Sequence, residues 1–297
     1  MQLRTKNYSD NNRYLWVDLP SAKSRLQVED QYFRSDPTLL ATFTDQGYVV
    51  ASNAVDPGAV DVFLTDLESL LEHPGQHIAM TFWDTDGKHQ ESARREYLDK
   101  TEAKVLDLHT RLSSAHRLIF SPVILDFLRD VFEDEPVAFQ SLYFEYGSQQ
   151  GAHQDTAFVY VDPPNHFVAS WIALEDVEPG TGELFYYPGS QKLDDIIFAS
   201  GSKALTGSDP AAASYSRELE GIAAERGLVR TRFLPRRTDV LFWASDLIHG
   251  GEPIARRRTR RSLVTHYAPR RSVIPYAQSA GREPSQAAGG GWVIGQN

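Results

Sequence analysis

Gly151-Ala152-His153-Gln154-Asp155 is the segment from which the fold of this chain is read. In an extended strand, residues two apart point to the same side, so His153 and Asp155 would offer an imidazole nitrogen and a carboxylate to one point in space. The segment sits among short β-type stretches. They cover 138–146, 157–161, 167–174, 184–187, 229–234, 239–243 and 262–267, and Gly, Pro and Asp turns separate them. Many short strands with regular turn signals predict a sandwich or barrel. Before Pro136 the texture is more helical. Residues 37–43 open a short helix that Gly47 ends, and 48–51 read as a strand. Asp56-Pro57 then starts a longer helix, with an N-cap aspartate and proline at the first helical position. Val60, Phe63, Leu64, Leu67, Leu70 and Leu71 recur at three and four, so one face of it is buried. The same period is read over about 103–111 and over 122–132. The class expected is mainly β with flanking helices.

No repeat or linker divides the chain. Residues 1–36 are polar with scattered apolar positions and read as an arm laid on the domain, or as mobile. Residues 37–278 read as one domain whose β core spans about 137–268. The stretch 192–226, rich in Ser, Ala, Gly and Asp, interrupts that core and has the length of a lid or a surface excursion. The tail 279–297, with Gly289-Gly290-Gly291, reads as loosely held and flexible.

Of the 297 residues, 41% are hydrophobic and 24% charged, enough for a core without covalent staples. The absence of cysteine excludes disulfides, thiolate zinc sites, iron–sulfur clusters and cysteine nucleophiles. A net charge of −10 argues against non-specific nucleic-acid binding, which needs a positive field. No stretch reaches the roughly 18 apolar residues of a membrane span. The opening MQLRTKNYSDNNRYLW lacks the apolar core of a signal peptide, so a cytoplasmic location is expected, with neither nucleic acid nor membrane as partner. The oligomeric state is left open.

Two further stretches complete the chemistry. Residues 239–251 (DVLFWASDLIHGG) carry a hydrophobic strand into His249, and the two glycines after it permit close backbone approach. Arg260 follows eleven residues on and opens the strand 260–267. An arginine aimed into a barrel is expensive unless it meets an anion, and a carboxylate satisfies it bidentately. Each part alone is weak, because a histidine at a strand end is more often structural than a ligand. Together they spell two imidazoles, one carboxylate and an inward guanidinium. Two neutral imidazoles with one carboxylate suit iron(II) and leave three coordination positions open. A 2-oxo acid can fill two of these and dioxygen the third, with the arginine on the acid's distal carboxylate.

On these residues the chain resembles the phytanoyl-CoA dioxygenase-like branch of the iron(II)/2-oxoglutarate oxygenases, over roughly 38–268. The likeness is strongest in GAHQD, in SWIALEDVEPGTGELFYYPGSQK (170–192), in DVLFWASDLIHGG and in TRRSLVTHY (259–267). It implies a double-stranded β-helix, jelly-roll or cupin-like, with helices outside. It implies His153, Asp155 and His249 as iron ligands and Arg260 as the 2-oxoglutarate clamp. The spacing habit of the family selects Arg260 over Arg261, and strand alternation lets only one of the pair face inward. The resemblance also implies that Trp171 and Gln140 line the cosubstrate pocket, and Ser262 would share the inward face with Arg260. The implied reaction is hydroxylation of a C–H bond of a small molecule, with 2-oxoglutarate leaving as succinate and carbon dioxide. Related halogenases replace the carboxylate by a small residue, so Asp155 favours hydroxylation, with desaturation, ring closure and epoxidation left open. Two positions depart from the family habit: Gln191 in PGSQK, often His, and Gly251, a serine in some relatives.

Two other readings compete: a non-catalytic β-helix protein that binds metal or a small ligand, and a zinc hydrolase on the same ligands, which would leave Arg260 without a purpose. The remaining histidines, His73, His77, His89, His109, His116, His166 and His266, offer no better spacing. His266, with inward parity on the arginine strand, reads as pocket lining or as a satisfied core histidine. Phe82, Trp83, Tyr143, Phe158, Tyr160 and the 192–226 segment are candidates to face the substrate. No concentrated basic surface suits coenzyme A, which favours an amino-acid derivative, polyketide or other secondary metabolite.

Overall fold

Proline-led helices and short strands alternate along the chain as their local sequence requires. The structure, a computed structural model, describes residues 1–72 and 78–295, and His73 and His77 fall outside the described residues. In chain order the elements are β1 (Gln2–Arg4), α1 (Ala22–Glu29), α2 (Pro37–Gln46), β2 (Tyr48–Ala51), α3 (Pro57–Glu72), β3 (Ala79–Asp84), β4 (Gly87–Ser92), β5 (Thr101–Leu106), α4 (Ser113–Ile119), α5 (Pro122–Phe132) and β6 (Pro136–Phe144). Then follow β7 (Val168–Ala173), β8 (Leu184–Tyr186), β9 (Asp195–Ile197), α6 (Tyr215–Glu225), β10 (Thr231–Phe233), β11 (Val240–Ala244), β12 (His249–Gly251), β13 (Ser262–Pro269), α7 (Pro275–Ser279), β14 (Ser285–Gln286) and β15 (Trp292–Val293). The Asp36 carboxylate accepts from the Thr38 amide at 2.8 Å to start α2, and Gly47 ends it in the left-handed conformation at φ 75°. Asp56 caps α3 through the Ala59 amide at 2.8 Å.

Ten strands form one large sheet. Its main path runs β2-β11-β7-β13-β6-β5-β3-β4, with β15 added parallel to β6 and β14 paired to β15. A three-stranded sheet, β10-β8-β12, packs on it: Leu184, Tyr186 and Phe233 meet Trp171, Leu241, Trp243 and Val264. This is the expected jelly roll. The strand period of two sorts the large sheet into two faces. Leu241 and Trp243 enter the inner cluster, while Val240 and Phe242 join the core beneath α2, α3, α4 and α5.

Several expectations need correction. The 103–111 stretch is not a helix but β5 followed by one 3-10 turn. Ala103 and Val105 are buried while Glu102, Lys104 and Leu106 are partly exposed, a period of two that a short apolar window does not separate from a helical one. Residues 157–161 form no strand, because Asp155–Ala157 is itself a 3-10 turn. The hairpin β3–β4 had no sequence expectation. The tail is not loose over its described residues, 279–295: β15 pairs with Val137 and Ala138, Ile294 is buried, and the Ile294 carbonyl lies 3.1 Å from His109 Nε2. Its apolar Trp292 and Ile294 supply the burial that the glycines conceal. The arm is fixed too, with Leu15, Trp16 and Val17 in the main core and Trp16 Nε1 donating to the Asp130 carbonyl at 2.8 Å.

Phe127 shows how the helices hold the sheet. It is fully buried, stacks on Phe242 of β11 at 4.3 Å and meets Phe43 of α2 edge-on at 5.2 Å. Phe127→Ala should lower unfolding free energy by about 3–5 kcal/mol in urea denaturation.

Candidate metal centre

Backbone pairing brings the donors together. His153 and His249 exchange both amide–carbonyl hydrogen bonds, at 2.8 and 2.9 Å, in an isolated antiparallel bridge. Their rings lie 4.3 Å apart. Asp155, on the turn two residues later, places Oδ1 3.7 Å from His153 Nε2 and 3.6 Å from His249 Nε2. The three donor atoms lie within 4.8 Å of one another, and all three residues are buried. Gly250 lets this bridge form, since a Cβ there would stand 2.5 Å from the Phe185 ring and 2.9 Å from the Gln150 carbonyl oxygen.

Hydrogen bonds set which atoms face the centre. His153 Nδ1 donates to the Gly151 carbonyl at 2.9 Å and His249 Nδ1 to the Leu247 carbonyl at 3.0 Å. Each Nε2 therefore keeps its lone pair toward the centre, the tautomer a metal requires. Asp155 divides its oxygens. Oδ2 accepts from Trp243 Nε1 at 2.7 Å and contacts His266 Nε2 at 3.2 Å, which leaves Oδ1 for the histidines. Burial, aided by His249, pushes the His153 imidazole down to about 3. Burial would raise the Asp155 carboxyl, but His249 and His266 beside it outweigh that and hold it well below the usual carboxylate range. A neutral imidazole and an ionised carboxylate are the forms that bind a cation, and the donor set fits iron(II).

These groups open into a cavity of about 540 Å³. Arg260 lines it; its backbone amide is bonded to the Glu145 carbonyl at 2.8 Å, and its guanidinium carbon sits 5.2 Å from the Trp171 ring. Arg260 Nε is buried without a hydrogen-bond partner among the described residues. Burial pushes the guanidinium down to about 10, with Glu183 and Glu175 opposing. Arg261 instead pairs with Glu145 at 2.9 Å and leaves the cavity to its neighbour. Gln140, Trp171 and His266 are in the lining as well. Ser262 shares the parity of Arg260, but its hydroxyl is fully buried outside the lining and lacks a partner among the described residues.

The outer wall differs from expectation. Trp83 and Phe158 line the cavity, whereas Phe82, Tyr143 and Tyr160 do not. The 192–226 segment contributes nothing to the lining either. It is packed, with Ile196, Phe198, Tyr215, Leu219 and Ala223 against Ala152, Phe185 and Ile248. Its apolar face accounts for this: it buttresses the ligand segment instead of covering the site. The wall comes from β3, β4 and β5, through Thr81, Trp83, Lys88, Gln90, Glu102 and Lys104. Burial pushes the Lys104 ammonium below its ordinary value, with Lys88 adding to the effect and Glu102 and Asp155 opposing it. Lys104 had no signal because its strand reads as helix. Trp243 had one, since it sits at inward parity on the strand leading to His249.

His266 lines the cavity, one of its two readings, and in addition contacts the Asp155 carboxylate. Trp243→Phe keeps the ring and removes the donor to Oδ2. It should raise the dissociation constant for Co(II), titrated anaerobically, about tenfold.

The family model described as phytanoyl-CoA dioxygenase matches residues 43–262. A mouse phytanoyl-CoA dioxygenase domain-containing protein 1 is 30% identical over 118 residues, 36% of this chain and 40% of that protein. A rice phytanoyl-CoA dioxygenase 1 is 39% identical over 61 residues, 19% of this chain and 21% of that protein. These matches span less than half the length of the curated relatives. Among solved structures, the α-ketoglutarate-dependent carbocyclase SnoK from nogalamycin biosynthesis aligns with TM-score 0.63 and 16% identity, over 88% of this chain and 97% of its own. EctD from S. alaskensis with 2-oxoglutarate and 5-hydroxyectoine aligns with TM-score 0.53 and 18% identity, over 77% of this chain and 74% of its own. These likenesses establish the shared fold.

Proposed function

The chain belongs to the phytanoyl-CoA dioxygenase family, and on that premise we propose that it is an iron(II)/2-oxoglutarate-dependent dioxygenase hydroxylating a C–H bond of a small molecule. The observation that carries this reading is the buried Arg260 guanidinium, its Nε without a hydrogen-bond partner among the described residues, in the same cavity as three converging metal donors. Glu183 and Glu175 offset part of its charge, but burial still costs it, and a dicarboxylate chelating the metal supplies a hydrogen-bonded anion.

In this reading His153 Nε2, Asp155 Oδ1 and His249 Nε2 hold iron(II). Iron held there would supply the oxidising power for hydroxylation with dioxygen as oxidant, its two oxygen atoms divided between the hydroxylated product and succinate as 2-oxoglutarate loses carbon dioxide. The protein's part is orientation and exclusion. Arg260 pairs with the distal carboxylate of the cosubstrate, and Trp171 bounds its pocket with Gln140. Lys104, on the outer wall of the same cavity, is a second basic side chain in the lining. Trp83 and Phe158 lie over the outer part of the cavity, where they exclude water from the substrate.

A volume of about 540 Å³ suits a small molecule. The solved relatives are captured with such ligands, SnoN with nogalamycin RO and EctD with 5-hydroxyectoine. An amino-acid derivative, polyketide or other secondary metabolite is the substrate class this supports. A cytoplasmic setting belongs to the same reading; none of the described helices is long and apolar enough to cross a membrane.

Anaerobic addition of Fe(II) and 2-oxoglutarate should give a weak visible band at roughly 500 nm, as such chelates do, and admission of air should yield succinate. His153→Ala should abolish the band through loss of iron. Arg260→Ala should spare iron binding and weaken 2-oxoglutarate by about 2–5 kcal/mol, the cost of breaking a buried charge pair. Unchanged cosubstrate affinity in Arg260→Ala would remove the basis of this assignment.

A further inference from the structure

A second cluster of charges lies outside the cavity lining, and the proposed reaction uses none of it. Asp246 is buried. Its Oδ1 accepts from Thr156 Oγ1 at 2.9 Å and Lys203 Nζ at 2.8 Å. Its Oδ2 accepts from Lys6 Nζ, Lys203 Nζ and Asn165 Nδ2, each at 2.6 Å. Asp195 stands 2.9 Å from Lys203 and 3.4 Å from Lys6. Lys6 and Lys203 face Asp246 and Asp195, with side-chain exposures of 4–12%, and nearby Asp18 adds a third carboxyl, which burial pushes up to about 7 against the pull of Lys6 and Lys203. They come from the amino-terminal arm, from β9, from the segment after β9 and from the turn between β11 and His249.

This cluster grips the ligand segment on both sides of Asp155. Thr156, which follows Asp155, is bonded to the Asp246 carboxylate. Gln154, which precedes it, donates Nε2 to the Asp246 carbonyl at 2.7 Å. The Thr156 amide also donates to the Ser245 carbonyl at 3.3 Å. A buried carboxylate holds such bonds only while its charge is matched. One of its two cations, Lys6, reaches it from 240 positions away, on an arm whose strand β1 pairs with β9.

We propose that the amino-terminal arm is part of the metal centre: Lys6, by neutralising Asp246, is a positioning residue for Asp155. The inference rests on the metal-binding reading above. An arm that only covered the domain would have no need of a buried ammonium directed at the turn before His249.

Anaerobic Co(II) titration of the full chain tests it. Lys6→Met and Thr156→Val should each raise the Co(II) dissociation constant about tenfold, the usual effect of losing an outer partner of a ligand. Circular dichroism should stay that of the parent. Lys6→Met combined with Asp195→Asn removes one charge of each sign and should restore affinity to within about threefold of the parent. Trp292→Ala, which loosens the tail strand away from the cluster, should leave the constant unchanged. Should Lys6→Met fail to fold, Thr156→Val decides, since it deletes a single hydroxyl contact. Parent-like affinity in Thr156→Val overturns the proposal, and so does an equal loss of affinity in Trp292→Ala. If the unaltered chain fails to bind Co(II), the metal reading itself falls. If it binds and these variants bind equally well, only the present inference falls.

Discussion

The reciprocal backbone pair between His153 and His249 is the contact on which the centre depends. It ties a loop following β6 to the first residue of β12, and it fixes both imidazoles before any side chain is considered. Asp155 then needs only one turn of chain to bring its carboxylate between them. The bridge imposes a steric condition at Gly250, and the carbonyls of Gly151 and Leu247 fix the tautomers. Geometry and protonation state are therefore set by the same few backbone atoms. That is preorganisation in its simplest form: the donors lose little freedom when a cation arrives.

Asp155 adds a second level. A free carboxylate can turn either oxygen toward a cation. Here Trp243 and His266 occupy Oδ2, so the choice is made by the large sheet, while the histidines belong to the smaller sheet and its adjoining loop. The centre is thus held from both layers of the jelly roll. Relative movement of the layers would be felt directly at the donors, which gives the aromatic packing of Trp171, Tyr186, Phe233 and Trp243 between them a functional consequence.

Legibility in the sequence followed the length and strength of each local signal. The capped helices α2, α3 and α5 were readable because proline, an acidic cap or a left-handed stop marks their ends. The core strands were readable because both faces are buried and the runs are apolar. His153, Asp155, His249 and Arg260 stood out because their spacing is chemically specific. The hairpin β3–β4 and strand β5 were not readable. Their inward residues, Thr81, Gln90 and Lys104, are polar because they face a cavity, so the apolar residues left on the other face, such as Ala103 and Val105, are too few to separate a strand from a helix. The packing of 192–226, read as a lid or a surface excursion, was hidden for the opposite reason: its Ser-, Ala-, Gly- and Asp-rich texture conceals an apolar face. The roles of Lys6 and Asp246 depend on a contact spanning most of the chain, which no local pattern encodes.

The placement of the outer wall separates two tasks. Metal donors and guanidinium sit on the central strands and their loops, where each backbone group is shared with neighbours on both sides. The outer wall of the cavity is a hairpin at the margin of the ten-stranded sheet, with β4 at the end of the path. Side chains on that hairpin can be exchanged without altering the ladder that carries the iron site. The fold therefore lets the outer wall of the cavity drift while the donor geometry stays fixed, and variation among related chains should concentrate in this marginal hairpin.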